Sequence, residues 1–442
     1  MTSLAHTDTI FALSSGPPPS GVAIVRVSGP GVRFGLETLV DSIPEPRRAS
    51  LATIWAGGEL IDRGLVLFFP APASFTGEDV AEFHVHGGRA VVATLLRALS
   101  ALPGFRPAEA GEFTRRAFQN ERLDLTQVEG LADLIAAETE AQRRQALRQS
   151  DGSLSRLYEG WRERLIRARA LIEAELDFPD EQDVPGSVSA EAWEIAGGLE
   201  QELVNHLADR RGERLRDGAE VVILGAPNAG KSSLLNAIAQ RDVAIVTPEP
   251  GTTRDMIEAR LDLDGYPVTL VDTAGLREAE GVVEREGIRR AEARARDANL
   301  VLWLFDATEP PSPSPIAGAV RVATKIDLID SAADRSRLAS AADVCVSARS
   351  SEGLESLLEL LSERVAKALP AAESPLITRA RHRAAISACL EAVRAAVRGQ
   401  GIPLEVRAEY LRQAADSLAR ITGRIDVEDL LDVIFRDFCI GK

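Results

Sequence analysis

Eight consecutive residues, Gly225-Ala226-Pro227-Asn228-Ala229-Gly230-Lys231-Ser232, have the spacing G-x-x-x-x-G-K-[ST]. They lie between the apolar run Val221–Leu224 and the helical run Ser232–Gln240. Glycines there let backbone N–H groups approach phosphate oxygens, and a helix N-terminus adds partial positive charge. Lys231 is expected to reach the β- and γ-phosphates and Ser232 to ligate Mg²⁺. A chance glycine turn is the bland alternative, and the strand–loop–helix context argues against it. Downstream, Asp272-Thr273-Ala274-Gly275 closes a strand-like run. This places a carboxylate to hold Mg²⁺ through water and a glycine N–H to sense the γ-phosphate. Thr324-Lys325-Ile326-Asp327 closes another such run. Its Asp327 carboxylate can accept from guanine N1–H and the exocyclic amine, while the Lys325 stem packs on the ring. Adenine would leave that site unpaired, a penalty of roughly 10⁴-fold in comparable sites. Ser347-Ala348-Arg349 is placed to close over the base, and Gly251-Thr252-Thr253-Arg254 to supply a switch threonine for Mg²⁺. These elements in this order predict a guanine-nucleotide hydrolase.

Two positions depart from the common pattern. Thr324 stands where most GTPases carry Asn, which is expected to loosen the pocket without changing base choice. Leu276 follows the Asp272–Gly275 element where many GTPases use Gln to orient the attacking water. Leucine cannot do that, so hydrolysis must be assisted in another way.

The elements that must position these residues are legible in the surrounding texture. Strand signals at Val221–Leu224, Ile257–Leu263, Val268–Asp272, Leu300–Phe305, Val320–Ala323 and Asp343–Val346 alternate with helical stretches, and Asp264-Gly265 marks a hairpin turn. The alternation predicts a doubly wound α/β domain over residues 216–370. Residues 1–118 read as mixed α/β, with runs at Val22–Val27, Gly64–Phe69 and Val80–Val85 and a helical pattern over Gly88–Leu102. Residues 119–215 and 371–442 carry Ala/Leu/Glu/Arg helices. Each helical block is short, so the economical arrangement is one helical domain built from both, with the α/β unit inserted.

Composition bounds the remaining possibilities. The 442 residues are 45% hydrophobic and 27% charged, ordinary for a globular protein with sizeable cores. No apolar run is long enough to span a bilayer, and Met1–Phe11 lacks a signal-peptide pattern. Cys345, Cys389 and Cys439 lie far apart, which argues against a disulfide framework or a thiolate zinc site. The expectation is a cytoplasmic protein with no membrane partner. Net charge is −16, and the acidic excess falls in the two middle blocks, 12 basic against 21 acidic over 119–215 and 18 against 25 over 216–370. A nucleic-acid partner therefore needs local basic patches. Only four of the 51 basic residues are lysine: Lys231, Lys325, Lys367 and Lys442. Two of them fall in the nucleotide motifs, where a compact ammonium suits better than a planar fork.

Further phrases sharpen the reading: Phe75-Thr76-Gly77-Glu78-Asp79, His86-Gly87-Gly88, Gly111-Glu112-Phe113-Thr114 and Phe438-Cys439-Ile440-Gly441-Lys442. Together with the nucleotide motifs they make the whole chain resemble the MnmE (TrmE) family of tRNA-modification GTPases. The resemblance implies an N-terminal folate-binding-like α/β domain, an all-α domain in two chain segments and an inserted P-loop GTPase domain. It implies a homodimer formed through the N-terminal domain, and an FAD-containing partner, MnmG, in a heterotetramer. The pair would add an aminomethyl or carboxymethylaminomethyl group at C5 of tRNA wobble uridine 34, with 5,10-methylene- or 5-formyl-tetrahydrofolate as the one-carbon source. G domains would pair across GTP and be stimulated by K⁺, held by Asn228, Thr247, Glu249 and Thr252. The resemblance implies GTP contacts along Asn228–Ser233, including Ala229, Gly230 and Ser233, and from Thr247, Thr252 and Thr253. It extends them to Thr273, Ala274 and Gly275, and to Thr324, Lys325, Asp327, Ser347, Ala348 and Arg349. Ser232 and Thr253 would hold Mg²⁺, Glu284 would orient the attacking water through a second water, and Arg254 and Arg277 match switch arginines. Folate positions carried over are Arg26, Glu82, Arg122 and Lys442, residue types that suit a pterin and a glutamate tail; Arg122 stands where the family usually has Lys.

Other residues keep two readings. His84-x-His86 could begin a metal site or stabilise a turn. Cys439 could attack uracil C6 if its pKa is lowered, or simply pack. The stretch Asp177–Asp183 reads as a solvated acidic loop or a docking element. The terminal phrase is expected to insert toward Arg26, Glu82 and Arg122, a frayed tail being the alternative. At the level of function, a ribosome-assembly GTPase and a GTP-driven scaffold without its own chemistry stand as rivals.

Overall fold

The computed structural model describes residues 7–177, 188–245, 258–272, 293–369, 374–399 and 401–425, and beyond them Leu431, Ile434, Phe435, Phe438 and Gly441. The chain divides into two compact units, one of Met1–Ala132, Gln149–Ala196 and Glu391–Lys442, the other of Asp133–Arg148 and Gly197–Leu390.

In the first unit the chain runs β1 (Thr9–Leu13), β2 (Ser20–Ser28), α1 (Val32–Leu39), β3 (Ser50–Ala56), β4 (Glu59–Phe69), β5 (Val80–Gly87), α2 (Arg89–Ser100), β6 (Phe105–Pro107) and α3 (Glu112–Gln119). The six strands form one sheet in the order β3-β4-β5-β2-β1-β6, antiparallel except for the β1–β6 pair. Alternation fixes its faces, because successive side chains on a strand point to opposite sides. Ala23, Val25 and Val27 of β2 and Ala81, Phe83 and Val85 of β5 go into the core with residues of α1 and α2. Each buried Val or Phe among them stabilises the unit by roughly 2 kcal/mol. Arg26 and Glu82 fall on the opposite parity and lie directly across from one another.

Four helices follow: α4 (Leu125–Ala136), α5 (Glu140–Ser150), α6 (Ser153–Asp177) and α7 (Val188–Ala208). Near the carboxyl end, Phe435 and Phe438 pack on Val128 of α4, anchoring that segment to the first unit.

The second unit continues with α8 (Arg211–Asp217), β7 (Ala219–Gly225), α9 (Lys231–Ala239), β8 (Glu258–Leu263), β9 (Tyr266–Asp272), β10 (Leu300–Asp306), β11 (Val320–Thr324), α10 (Ala332–Ala341), β12 (Val344–Cys345) and α11 (Leu354–Ala368). The helices α12 (Ala380–Arg398) and α13 (Leu404–Thr422) come after them, and α13 lies along α6 within the first unit. There Thr422 Oγ1 donates to Glu159 Oε1 at 3.0 Å. The second sheet has the order β12-β11-β10-β7-β9-β8, all pairs parallel except the β8–β9 hairpin. Its turn is Asp264-Gly265, and Asp262 Oδ1 accepts from the Gly265 N–H at 2.7 Å. Val221, Ile223, Leu270, Leu302, Leu304 and Val322 fill the core against α9 and α11. After β7 the chain builds β8 and β9 on one side of it and β10 to β12 on the other. The order therefore reverses at β7, and that reversal opens a crevice at the carboxyl ends of the strands.

Candidate functional site

The loop Gly225–Gly230 leaves β7 at that crevice. Gly225 has φ +154°, and a Cβ there would collide with the carbonyl oxygen of Leu304 on the neighbouring β10. Asn228 and Gly230 also adopt positive φ, +63° and +85°. Lys231 is 6% exposed, and its Nζ donates to the carbonyl oxygens of Gly225 at 3.0 Å and Ala226 at 2.8 Å. The ammonium thus lies inside the loop that the sequence reads as a phosphate cradle. Ser232 Oγ donates to Asp272 Oδ2 at 2.5 Å, and Asp272 is buried at the end of β9. A hydroxyl and a carboxylate converging beside a helix N-terminus make an oxygen donor set that fits Mg²⁺.

Beside the loop lies a cavity of about 430 Å³ lined by Ser233, Lys325, Asp327, Leu328, Ala348 and Arg349, among others. Ser347 is fully buried and its Oγ donates to Asp327 Oδ1 at 2.6 Å. The same oxygen accepts from the N–H groups of Arg349 and Ser350, at 3.2 and 3.1 Å, which fixes the direction of its proton. Asp327 is thereby oriented while it keeps acceptor capacity for a ligand. Lys325 has φ +60°, and its Nζ meets Asp306 Oδ2 at 2.7 Å, so its stem is held at both ends. Burial alone would raise the Asp306 pKa; the hydrogen bonds from Lys325 and Thr308 outweigh it and hold the carboxyl below its ordinary range. Thr324 is buried at the end of β11. Its hydroxyl is buried and donates to Ala229 O at 2.8 Å, with Phe305 O at 3.2 Å.

In the first unit, Arg26 Nε donates to Glu82 Oε1 at 2.9 Å across the β2–β5 register. The guanidinium sits 5.6 Å from the Phe75 ring centroid and 5.8 Å from that of Phe113. His84 Nε2 lies 3.3 Å from Glu82 Oε2, and His86 Nδ1 lies 2.8 Å from Asp62 Oδ1, so both histidines pair with carboxylates. No group of three His, Cys, Asp or Glu able to hold a metal occurs among the described residues. Arg122 is exposed, and its stem passes close to Gly77, two residues from Phe75. Gly441 also reaches this region: Ser14 Oγ donates to its carbonyl oxygen at 2.8 Å, just beyond β1. Ala12 of β1 pairs with Arg26, so Gly441 lies at the end of the strand that pairs with that residue. A cation, a carboxylate and aromatic faces form a set that suits a pterin and an anionic tail.

Thr247, Glu249, Thr252, Thr253, Arg254, Thr273, Ala274, Gly275, Arg277 and Glu284 lie outside the described residues, as do Cys439, Lys442 and most of Asp177–Asp183. Sequence reasoning missed Asp306 and Ser14. The only signal for Asp306 is an acidic residue directly after the run Leu300–Phe305, and its partner emerges from the Asp306↔Thr324 register. Ser14 gives no signal at all.

The sheet order, the loop on β7 and the oriented Asp327 define a P-loop guanine-nucleotide-binding domain, carried with a separate α/β sheet and a set of helices. Residues 9–122 match the family described as GTP-binding protein TrmE N-terminus, and residues 125–439 match the MnmE helical domain. A tRNA modification GTPase MnmE of Brucella canis is 54% identical over 441 residues, 99% of each chain. One from Chelativorans sp. is 55% identical over 439 residues, 98% of each. Among solved structures, the G domain of the T. maritima FeoB iron transporter is 26% identical, covering 33% of this chain and 98% of that one, with a TM-score of 0.25. The fold reading rests on the sheet order instead. The chain belongs to the MnmE (TrmE) family of tRNA modification GTPases. No helix among the described residues is long and apolar enough to cross a membrane.

Proposed function

We propose that the chain is a K⁺-stimulated GTPase that works as a homodimer with an FAD-containing MnmG partner. Together they install an aminomethyl or carboxymethylaminomethyl group at C5 of wobble uridine 34; a bound tetrahydrofolate supplies the one-carbon unit and a free amine, ammonia or glycine, the nitrogen. In the second unit, Asp327 and Lys325 take guanine, Lys231 takes the β- and γ-phosphates, and Ser232, with Thr253, holds Mg²⁺. With Leu276 unable to orient water, Asn228 helps hold K⁺ where its charge offsets that developing on the phosphates. Glu284 directs the attacking water, and Arg254 and Arg277 act from the switches. In the first unit, Glu82 accepts from pterin N–H groups, while Arg26, Arg122 and Lys442 answer the anionic end. The observation that carries the folate reading is the docking of Gly441 on Ser14 beside the Arg26–Glu82 pair. The homodimer reading draws on Leu51, Leu60, Leu65 and Trp55, which are exposed at 78%, 51%, 43% and 37% on the hairpin at the sheet edge. A patch of that kind on an edge hairpin marks an association surface.

The test is reconstitution: the protein with MnmG, tRNA, GTP, methylene-tetrahydrofolate and an amine, ammonium for the aminomethyl or glycine for the carboxymethylaminomethyl group, read by nucleoside chromatography of the digested tRNA. Modified wobble uridine should form only with all components and faster in K⁺ than in Na⁺. Equal hydrolysis rates in the two salts, independent of protein concentration, would overturn the K⁺ and pairing reading. Unmodified tRNA, together with co-purifying ribosomal particles, would favour a ribosome-assembly role.

A further inference from the structure

We propose that Thr324 ties the phosphate loop to the base pocket and gives guanine N7 no side-chain donor, so that side-chain selection of the base falls on the opposite edge, to Asp327. The inference rests on the guanine-nucleotide reading of this crevice. Guanine offers acceptors, N7 and O6, on one edge and N–H donors on the other. To read N7, the side chain at position 324 would have to donate. Thr324 has a single hydroxyl proton. It ends β11 at 4% exposure, and two carbonyl oxygens converge on its Oγ1, Ala229 O at 2.8 Å and Phe305 O at 3.2 Å. That proton is therefore spent on backbone. Redirecting it to N7 would leave the Ala229 carbonyl without this partner, so the exchange returns no net hydrogen bond. A carboxamide at the same place would carry two N–H donors, one for the loop and one for the base.

The remaining tethers point the same way. Lys325, the next residue, has its ammonium on Asp306 at 2.7 Å, so the stem is a platform for the ring and the charge is engaged elsewhere. Asp327 is oriented by Ser347 at 2.6 Å to face the donor edge. Thr324 thus acts by fixing the loop carbonyl at Ala229, one residue before Gly230 and two before Lys231, as a positioning residue.

The experiment compares dissociation constants of the full chain for GTP and 7-deaza-GTP, in which N7 is replaced by C–H, by displacement of a fluorescent GDP. The unsubstituted protein should bind the two within about twofold of each other. Thr324→Ala should weaken both to the same extent, roughly fivefold for one lost hydrogen bond, and Thr324→Ser should restore both. A fivefold or greater preference of the unsubstituted protein for GTP, abolished in Thr324→Ala, would show that the hydroxyl reads N7 and would overturn the proposal. Thr324→Ala binding both nucleotides as the unsubstituted protein does would remove the tether. Asp327→Asn separates the two levels of the reading. If it fails to shift preference from guanine to xanthine nucleotides, the pocket assignment itself is wrong, whatever N7 does.

Discussion

Gly441→Ala tests whether the carboxyl-terminal phrase belongs to the folate site. Gly441 has φ +103°, and an added Cβ would strike the Leu13 carbonyl oxygen, part of the backbone at the end of β1. An L residue held at that φ costs about 1–3 kcal/mol. The clash also displaces the Gly441 carbonyl from Ser14 Oγ, now 2.8 Å away, for about 1 kcal/mol more. The sum, about 2–4 kcal/mol, corresponds to roughly thirtyfold to nearly a thousandfold against the docked segment. Phe435 and Phe438 remain packed on Val128, so the preceding residues keep their anchor. If the segment completes the folate site, the dissociation constant for 5-formyl-tetrahydrofolate should rise by up to that factor and tRNA modification should fail. GTP hydrolysis should stay within about twofold of normal, because Lys231, Ser232 and Asp327 belong to the other unit. Ser14→Ala loses only the hydrogen bond and should weaken folate binding about fivefold. Calorimetric titration with 5-formyl-tetrahydrofolate reads both variants, and a thermal melt checks their folding. Unchanged folate affinity in Gly441→Ala would refute the reasoning, and a parallel loss of GTPase activity would reassign the segment to fold stability.

Three further outcomes are expected. Ser347→Ala removes a hydrogen bond to the Asp327 carboxylate, and bonds to charged groups are worth about 1.5–3 kcal/mol; GTP affinity should drop at least tenfold, and an unchanged dissociation constant would contradict the orienting role. Leu51→Arg, on the exposed edge hairpin, should shift sedimentation from dimer to monomer with the far-ultraviolet circular dichroism unchanged, whereas a persistent dimer would send the association surface elsewhere. In the network around the buried Arg116, burial pushes the Glu112 and Asp8 carboxyls up, but the hydrogen bonds they receive, chiefly from Arg106, outweigh it and hold both below their ordinary range. A depressed folded-state pKa means that the unfolded chain binds more protons there. The network's stabilisation should therefore be complete above about pH 4.5 and fade as pH falls below it. Melting temperature followed from pH 7 to 3 should show the decline, less steeply in Glu112→Gln; equal slopes in both proteins would rule the network out as its source.

The nucleotide crevice was legible in the sequence because its chemistry is written in contiguous stretches. Gly225–Ser232, Asp272 and Thr324–Asp327 each sit at a strand's end, and local pattern is enough to place a strand and a loop. The hairpin at Asp264-Gly265 was readable for the same reason, as was the alternating texture that yields the doubly wound sheet. What the sequence could not state is which strand lies beside which. The Lys325–Asp306 pair and the Thr324–Ala229 tie exist because β10 lies between β7 and β11, and a parallel sheet is assembled by crossovers whose order no local pattern records. Tertiary contact alone likewise reveals that the Ala141 N–H meets the Gly265 carbonyl at 2.9 Å, within the unit that groups Asp133–Arg148 with the second sheet. The first unit depends on tertiary structure more heavily still. Arg26 and Glu82 face one another only because β2 and β5 pair in one register, and a slip of one residue in either strand would turn that strand's side chain to the opposite face of the sheet. Ser14 and Gly441 are 427 positions apart and meet through packing of Phe435 and Phe438 that composition does not reveal. The sequence by itself determined the chemistry that residues near one another in the chain can perform, since short-range geometry follows from local φ/ψ and periodicity. Only the tertiary structure decided which distant side chains share a site, since that is settled by strand order, register and the burial of apolar faces.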